Sequence, residues 1–108
     1  LAEHIQEAFW IRSVKNNHIL YISPAYEKIW GRSCQSLYDQ PDSWMEAVLP
    51  IYREHLLACI ELQQPYDEEY PIRRPDGGTR WVRDRAFPIQ NKTGEIYRLV
   101  GMAEDITQ

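Results

Sequence analysis

The sequence predicts an α+β domain in which several helices pack on one face of a five-stranded antiparallel sheet. Two short segments of strand character precede the helical region, and three longer ones follow it. The last three are separated by turn sequences that are typical of hairpins. At 108 residues the chain has the size of one domain, which excludes a two-domain enzyme with a cleft between domains.

The first segment is predicted to begin as a helix and continue as a strand. Leu1, Ile5 and Ala8 recur at the i, i+4 and i+7 spacing of an amphipathic helix. Aromatic and β-branched residues then predict a strand over 9–14, which a polar turn joins to a second strand over 18–22. The two strands should form a hairpin.

Helical signals fill the middle of the chain. Ser23 as N-cap and Pro24 at the first helical position begin a helix that Gly31 ends. Short helical pieces are predicted over 32–48, and a sustained helix follows over 51–63. At about 100° per residue, one side of this long helix is apolar: Leu49, Tyr52, Leu56, Cys59 and Ile60.

The remaining strands, over 66–73, 80–89 and 95–102, should form an antiparallel meander. The last strand is apolar on both sides, so the sheet face away from the helices must also be covered. Candidates are the N-terminal helix, a second subunit or the rest of a parent chain. We expect a homodimer or an equivalent contact within the parent chain.

Composition limits the partners and the compartment. Twelve basic residues are interleaved with sixteen acidic ones, and a net charge of -4 leaves no footprint for a nucleic acid. No apolar run approaches the roughly 20 residues that insert across a bilayer. Two cysteines without zinc spacing predict the reducing cytoplasm. Because the chain opens at Leu1 rather than Met, we expect it to be part of a longer protein.

Three motifs, in this order, resemble a PAS domain of the bacterial sensory type. They are Ile19–Tyr26 followed by Trp30-Gly31, Glu68–Gly77 leading to Arg80-Trp81-Val82, and Gly94-Glu95-Ile96 with the closing Asp105-Ile106-Thr107. The resemblance covers nearly the whole chain, so residues 1–108 are expected to form one such domain. The stretch Val48–Arg53 departs from the family, which usually has a His-Pro-acid-acid run there that helps to cap the long helix.

The resemblance implies a sensory module whose sheet and helices form a cup that holds a ligand or cofactor and transmits strain to a downstream helix. In many such proteins a coiled coil then leads to a histidine kinase, as in two-component systems, or to a diguanylate cyclase. The parent would be a kinase or nucleotide cyclase, which could be membrane-anchored elsewhere. The alternative is a protein-interaction or dimerisation module with a filled core and no ligand.

No catalytic set can be assembled from three His and sixteen acidic residues, so the domain itself should not be an enzyme. Cys34 lies in a run, 31–37, that resembles the cysteine motif of light-oxygen-voltage flavin photosensors. However, the register places Cys34 in an exposed turn. The positions that match the flavin-binding amides are Ile72, Val82 and Ala103, which cannot hydrogen-bond a flavin through their side chains. A flavin photoadduct is not expected.

Histidine offers no clear metal or haem ligand. Haem-binding members of the family ligate iron from the long helix, where His55 lies about 100° from the centre of the apolar side. We therefore expect His55 at the surface. His4 and His18 lie in polar surroundings. The sequence thus predicts neither haem nor a metal site and leaves any ligand unnamed.

The aromatic residues Trp10, Tyr26, Trp30 and Trp44 either fill the core or line a ligand cavity. If a cavity exists, strand parity and the resemblance predict its wall: Trp10, Tyr26, Leu56, Ile60, Ile72, Val82 and Ala103.

We predict that Asp105 and Thr107, at the end of the last strand, transmit the signal to the next segment. In the family this Asp ties the strand to the emerging helix through a basic partner. Arg83 and Arg85, on the neighbouring strand, are the predicted partners.

Overall fold

The computed structural model describes residues 6–108 and confirms the predicted five-stranded antiparallel sheet. Its strands are β1 Glu7–Ser13, β2 Ile19–Ile22, β3 Tyr66–Arg73, β4 Thr79–Gln90 and β5 Ile96–Asp105. Between β2 and β3 lie helices α1 Ala25–Trp30, α2 Cys34–Asp39 and α3 Pro50–Glu61, with a 3-10 helix at Ser43–Ala47 before α3. The strand order β2-β1-β5-β4-β3 places the last strand at the centre.

The beginning of the described chain differs from the prediction. Ala8 lies in strand β1, opposite Ala103 of β5, and not in a helix. At Ala8, pairing with the central strand overrides the short helical pattern. Leu1 and Ile5, the other residues of that pattern, lie outside the described part of the chain.

The predicted N-cap at Ser23 is wrong, although the helix it was meant to cap is present. Pro24 is the N-cap of α1 and makes no side-chain cap hydrogen bond. The Ser23 hydroxyl instead accepts the backbone N–H of Phe9 at 2.8 Å, which ties β1 to the start of the helical region. Gly31 ends α1 in the left-handed conformation at φ 71°, as predicted.

Helix α3 begins without the acidic cap that the resemblance would imply, since no acidic residue lies in its first turn. Its N-cap, Leu49, makes no side-chain cap hydrogen bond. The backbone just before the helix pairs with β3: Leu49 N–H donates to Pro71 O at 3.2 Å, and Val48 forms an isolated bridge with Ile72. Arg53 also donates through Nε to Val48 O at 2.9 Å. Backbone pairing thus fixes the start of α3.

Strand alternation separates a helix-facing side from an outer side of the sheet. The helix-facing residues join the helices in one buried core, which includes Tyr26, Tyr70 and Val82. The outer side is partly apolar and partly exposed, with Phe9 and Phe87 45% and 51% exposed. We call this set the outer apolar face: Phe9, Ile11, Tyr21, Phe87, Ile89, Val100 and Met102.

Gly101 makes room for Trp10 at the centre of the sheet. The two residues lie opposite each other on β5 and β1. A Cβ on Gly101 would overlap the Trp10 indole and would also clash with the backbone oxygen of Arg85. The backbone at Gly101 does not have a positive φ, so the need for glycine here is steric.

We therefore expect Gly101→Ala to lower the free energy of unfolding by about 1–3 kcal/mol, because the indole must leave its position. Gly78→Ala is the matched control, since a Cβ there meets only the flexible Asp76 side chain at 3.1 Å. Chemical denaturation followed by circular dichroism measures both variants. Equal stabilities would contradict the steric role of Gly101.

Candidate functional site

A small cavity of about 40 Å³ lies between the sheet and the helices. That volume holds roughly three water molecules and is far below the roughly 300–1,000 Å³ of typical ligand pockets. Its wall is mainly apolar and includes six aromatic side chains. The residues that form it come from all nine helices and strands described above: Ala8, Trp10, Arg12, Ile19, Ile22, Tyr26, Trp30, Leu37, Trp44, Ile60, Tyr66, Tyr70, Asp84, Leu99 and Ala103.

The aromatic wall is held by ring contacts. Tyr26 and Trp30 share one side of α1 at the i, i+4 spacing, and their rings stack with centroids 5.1 Å apart. The Trp44 ring lies tilted against Tyr70 at 6.1 Å, and Trp30 Nε1 donates to Trp44 O at 3.2 Å. These contacts join α1, the 3-10 helix and β3 around the cavity.

A buried carboxyl group, Asp84 on β4, is the main polar feature of the cavity. Only 4% of the residue is exposed. Tyr70 donates its hydroxyl to Asp84 Oδ2 at 2.7 Å, and Trp10 Nε1 donates to Oδ1 at 3.3 Å. Burial raises the pKa of Asp84 to about 7, although both hydrogen bonds and the nearby Arg12 oppose the shift. This carboxyl group can therefore change charge near neutral pH.

Two further residues with polar side chains line the cavity, Arg12 and Tyr26. Arg12 is buried at 8% exposure, donates to Pro41 O at 3.1 Å and pairs with Asp42 at 3.6 Å; its burial lowers the pKa of the guanidinium group. The Tyr26 hydroxyl is buried without a hydrogen-bond partner within residues 6–108. Because buried polar atoms are rarely unpaired, this hydroxyl is available to a water or a ligand.

A larger surface depression of about 320 Å³ lies next to the cavity. Arg12, Trp44 and Ile60 line both spaces. These three side chains therefore separate the small cavity from a depression of ordinary ligand size.

Four of the seven residues predicted for a cavity wall lie in it: Trp10, Tyr26, Ile60 and Ala103. The other three are buried in the core outside that wall: Leu56, Ile72 and Val82. Ile72 bridges to Val48, and Val82 lies opposite Asp105. Strand parity predicts the side of a strand that a residue occupies, but not whether a cavity reaches that position along the strand.

Sequence reasoning missed Asp84 and its donor Tyr70. The sequence contains a signal for Asp84, because this acid alternates with the apolar Val82 and Ala86 along β4. In the structure all three residues are buried. A charged residue among inward-facing apolar positions indicates a buried polar site.

The predicted basic partners of Asp105 are wrong. Arg80 Nη1 lies 3.7 Å from Asp105 Oδ2, whereas Arg83 forms a two-point ion pair with Asp67. The alternation of side chains along β4 explains why Arg80, and not Arg83 or Arg85, is the partner. Asp105 lies opposite Val82 and shares a sheet face with Arg80, while Arg83 and Arg85 point to the other face.

The end of β5 is fixed by a small hydrogen-bond network with β4. Trp81 N–H donates to Thr107 Oγ1 at 2.8 Å, and Ile106 N–H donates to Trp81 O at 2.8 Å. Thr107 N–H donates in turn to Asp105 Oδ1 at 2.9 Å. Asp105 and Thr107 thus hold residues 105–107 against the first residues of β4.

Cys34 and His55, the candidate residues for a flavin and a haem, both lie outside the cavity wall. Cys34 lies outside the cavity wall, and its thiol faces Ser23 O at 3.6 Å. The cavity is also much smaller than either ring system. His55 is exposed and lies against Glu68, away from the cavity wall.

The fold and motifs agree with the comparison with known proteins. A family model described as the PAS fold matches residues 19–103. The chain is a PAS domain. Such a domain is a sensory, non-catalytic module, as the sequence predicted. Within residues 6–108, no helix of this PAS domain is both long and apolar enough to cross a membrane.

Relatives include signalling proteins. The PAS domain is 31% identical over 90 residues to a protein of Escherichia coli (strain K12) named "Probable diguanylate cyclase DgcE". The match covers 73% of this chain and 8% of DgcE. A domain of a Haloarcula marismortui histidine kinase, described as sensing light and redox state, is similar with a TM-score of 0.86 and 30% identity, over 97% of this chain and 93% of that chain. The N-terminal domain of a Marinobacter aquaeolei diguanylate cyclase shares the fold, with a TM-score of 0.83 and 22% identity. This similarity covers 94% of this chain and 95% of that chain.

The raised pKa of Asp84 predicts a stability change with pH. Between about pH 4 and 7 the unfolded carboxyl group loses its proton while the folded one keeps it, so stability falls as pH rises through this window. Asp84→Asn cannot titrate. Relative to wild type it should gain stability from pH 4 to 8, by up to about 4 kcal/mol at about 1.4 kcal/mol per pKa unit.

Urea unfolding at several pH values measures this difference. Asp67→Asn is the control: Arg83 lowers the pKa of the exposed Asp67, so that variant should show no gain as pH rises. A difference between Asp84→Asn and wild type that stays flat from pH 4 to 8 would contradict a neutral buried Asp84.

Proposed function

We propose that this PAS domain is the input module of a cytoplasmic signalling protein with a histidine kinase or diguanylate cyclase effector in the same chain. Its signal is a small molecule with a flat apolar body and a hydrogen-bonding edge. The observation that carries this is the aromatic cavity with Asp84 and the unpaired Tyr26 hydroxyl. The similarity to PAS-containing cyclases and kinases supports the type of effector. Two free thiols, Cys34 and Cys59, suit a reducing compartment.

The ligand would enter from the surface depression. Displacement of Trp44 and Arg12 joins the depression to the cavity, since both residues line both spaces. The apolar body then packs against Trp30 and Trp44, and its polar edge meets Asp84 and the Tyr26 hydroxyl. The small cavity is the closed form of the site in this proposal.

The signal would leave along strand β5. Asp84 lies opposite Ala103 of that strand, two residues before Asp105. Asp105 and Thr107 hold the outgoing chain to Trp81, whose ring lies edge-on to Tyr52 of α3 at 6.1 Å. A ligand that moves Asp84 therefore shifts the β4–β5 pair, which also carries the hydrogen bonds of Asp105 and Thr107.

The outer apolar face is proposed as the contact between two copies of the domain. Phe87 is 51% exposed, and it lies beside Val100 on the neighbouring strand. Burial of this face in a dimer would remove apolar area from water and place the two outgoing chains in one assembly.

Ligand binding can be tested with benzimidazole, phenol and indole as probes by titration calorimetry. Tyr26→Phe should weaken binding about three- to ten-fold, because it deletes one hydrogen bond. Tyr97→Phe, at an exposed tyrosine, is the matched control. Bound probe should also change the amide hydrogen exchange of Ile106. The interaction module with a filled core is favoured instead if no probe binds or if Tyr26→Phe binds as well as wild type.

The dimer can be tested separately by sedimentation equilibrium. Phe87→Glu should raise the dimer dissociation constant at least about ten-fold, because it buries an unpaired charge in the contact. Glu95→Lys, an exposed charge change in the β4–β5 turn, should leave the constant within a few-fold. A wild-type chain that stays monomeric at high concentration would remove this part of the proposal.

A further inference from the structure

Helix α3 and strand β3 bring together three side chains that the cavity does not use. His55 and Cys59 lie one turn apart on α3, so the helix places them on the same side. Glu68 lies opposite Asp84 in the β3–β4 pairing, which directs it to the helix-facing side of the sheet. An imidazole nitrogen, a thiol and a carboxylate oxygen therefore meet between the two elements.

The distances among these atoms are close to those of a metal site. Ligand atoms around a tetrahedral zinc ion are about 3.3–3.8 Å apart, given metal–ligand bonds of about 2.0–2.3 Å. Cys59 Sγ lies 3.6 Å from His55 Nε2 and 3.4 Å from Glu68 Oε1. Only the hydrogen bond between His55 Nε2 and Glu68 Oε1, at 2.7 Å, is shorter. It would open by roughly 0.7 Å on binding an ion, which side-chain rotation supplies.

The three side chains are also accessible to an ion from solvent. The His55 side chain is 66% exposed and that of Glu68 is 29% exposed, so an ion reaches the three groups without opening the core. Solvent supplies the fourth ligand, and the thiol releases its proton to solvent as the metal–sulfur bond forms.

We propose that His55, Cys59 and Glu68 bind a divalent transition-metal ion of the zinc class, with water as the fourth ligand. Thiolate and imidazole ligands select such ions over magnesium and calcium. The bound ion joins α3 to β3. Ile60, the residue after Cys59, lines the cavity, so the ion also fixes the helix that supplies part of the cavity wall.

Cobalt titration of the reduced chain tests the site, because a cobalt–thiolate bond produces a charge-transfer band in the near ultraviolet. We expect one Co²⁺ per chain with that band, and its loss when Zn²⁺ is added in competition. Cys59→Ser should abolish the band and weaken zinc binding at least about ten-fold. Cys34→Ser, at the other free thiol, should keep both.

Two further variants keep the test decisive if Cys59→Ser does not fold. His55→Ala removes an exposed side chain and should weaken zinc binding at least about ten-fold, whereas His18→Ala should not. Circular dichroism verifies the fold of each variant. The proposal fails if wild type shows no charge-transfer band, if Cys59→Ser retains it, or if His55→Ala binds zinc as tightly as wild type.

Discussion

Strand β5 presents very little side-chain volume to the helix-facing side at the centre of the sheet, because Gly101 and Ala103 occupy its inward positions there. The Trp10 indole from β1 fills the space above Gly101. From there its N–H reaches Asp84 on the other neighbour of β5. The interior of the domain depends on this arrangement, since a larger residue at Gly101 would displace the ring that donates a hydrogen bond to the buried carboxyl group.

The same central strand connects the interior to the end of the described chain. Asp84 faces Ala103, and the exit network of Asp105 and Thr107 begins two residues later. The proposed coupling over this distance needs no long pathway, because both sites lie on one hydrogen-bonded strand pair. Asp105 and Thr107, the residues predicted for output, thus have defined contacts, with Arg80 as the basic partner of Asp105.

Three features use different surfaces of this small domain. The cavity lies under the helices, the outer apolar face lies on the opposite side of the sheet, and the cluster of His55, Cys59 and Glu68 lies between α3 and β3. Helix α3 links two of them, because Ile60 reaches the cavity while Cys59 reaches Glu68. A proposed ion and a proposed ligand would therefore act on the same helix through adjacent residues.

The sequence by itself determined the fold class, the order of the strands along the chain and the helix-ending role of Gly31. These features follow from local patterns: strand alternation, turn residues and the backbone freedom of glycine. It also identified part of the cavity wall, including Trp10 and Tyr26, because strand and helix periodicity predict which side faces inward.

Only the tertiary structure decided which inward residues meet. Strand register paired Asp105 with Arg80 rather than with Arg83 or Arg85, and the docking of α3 on β3 brought Cys59 to Glu68. Burial from all sides, rather than any neighbour in sequence, raised the pKa of Asp84. Local patterns fix the direction in which a side chain points, whereas its contacts depend on elements that are distant in the chain.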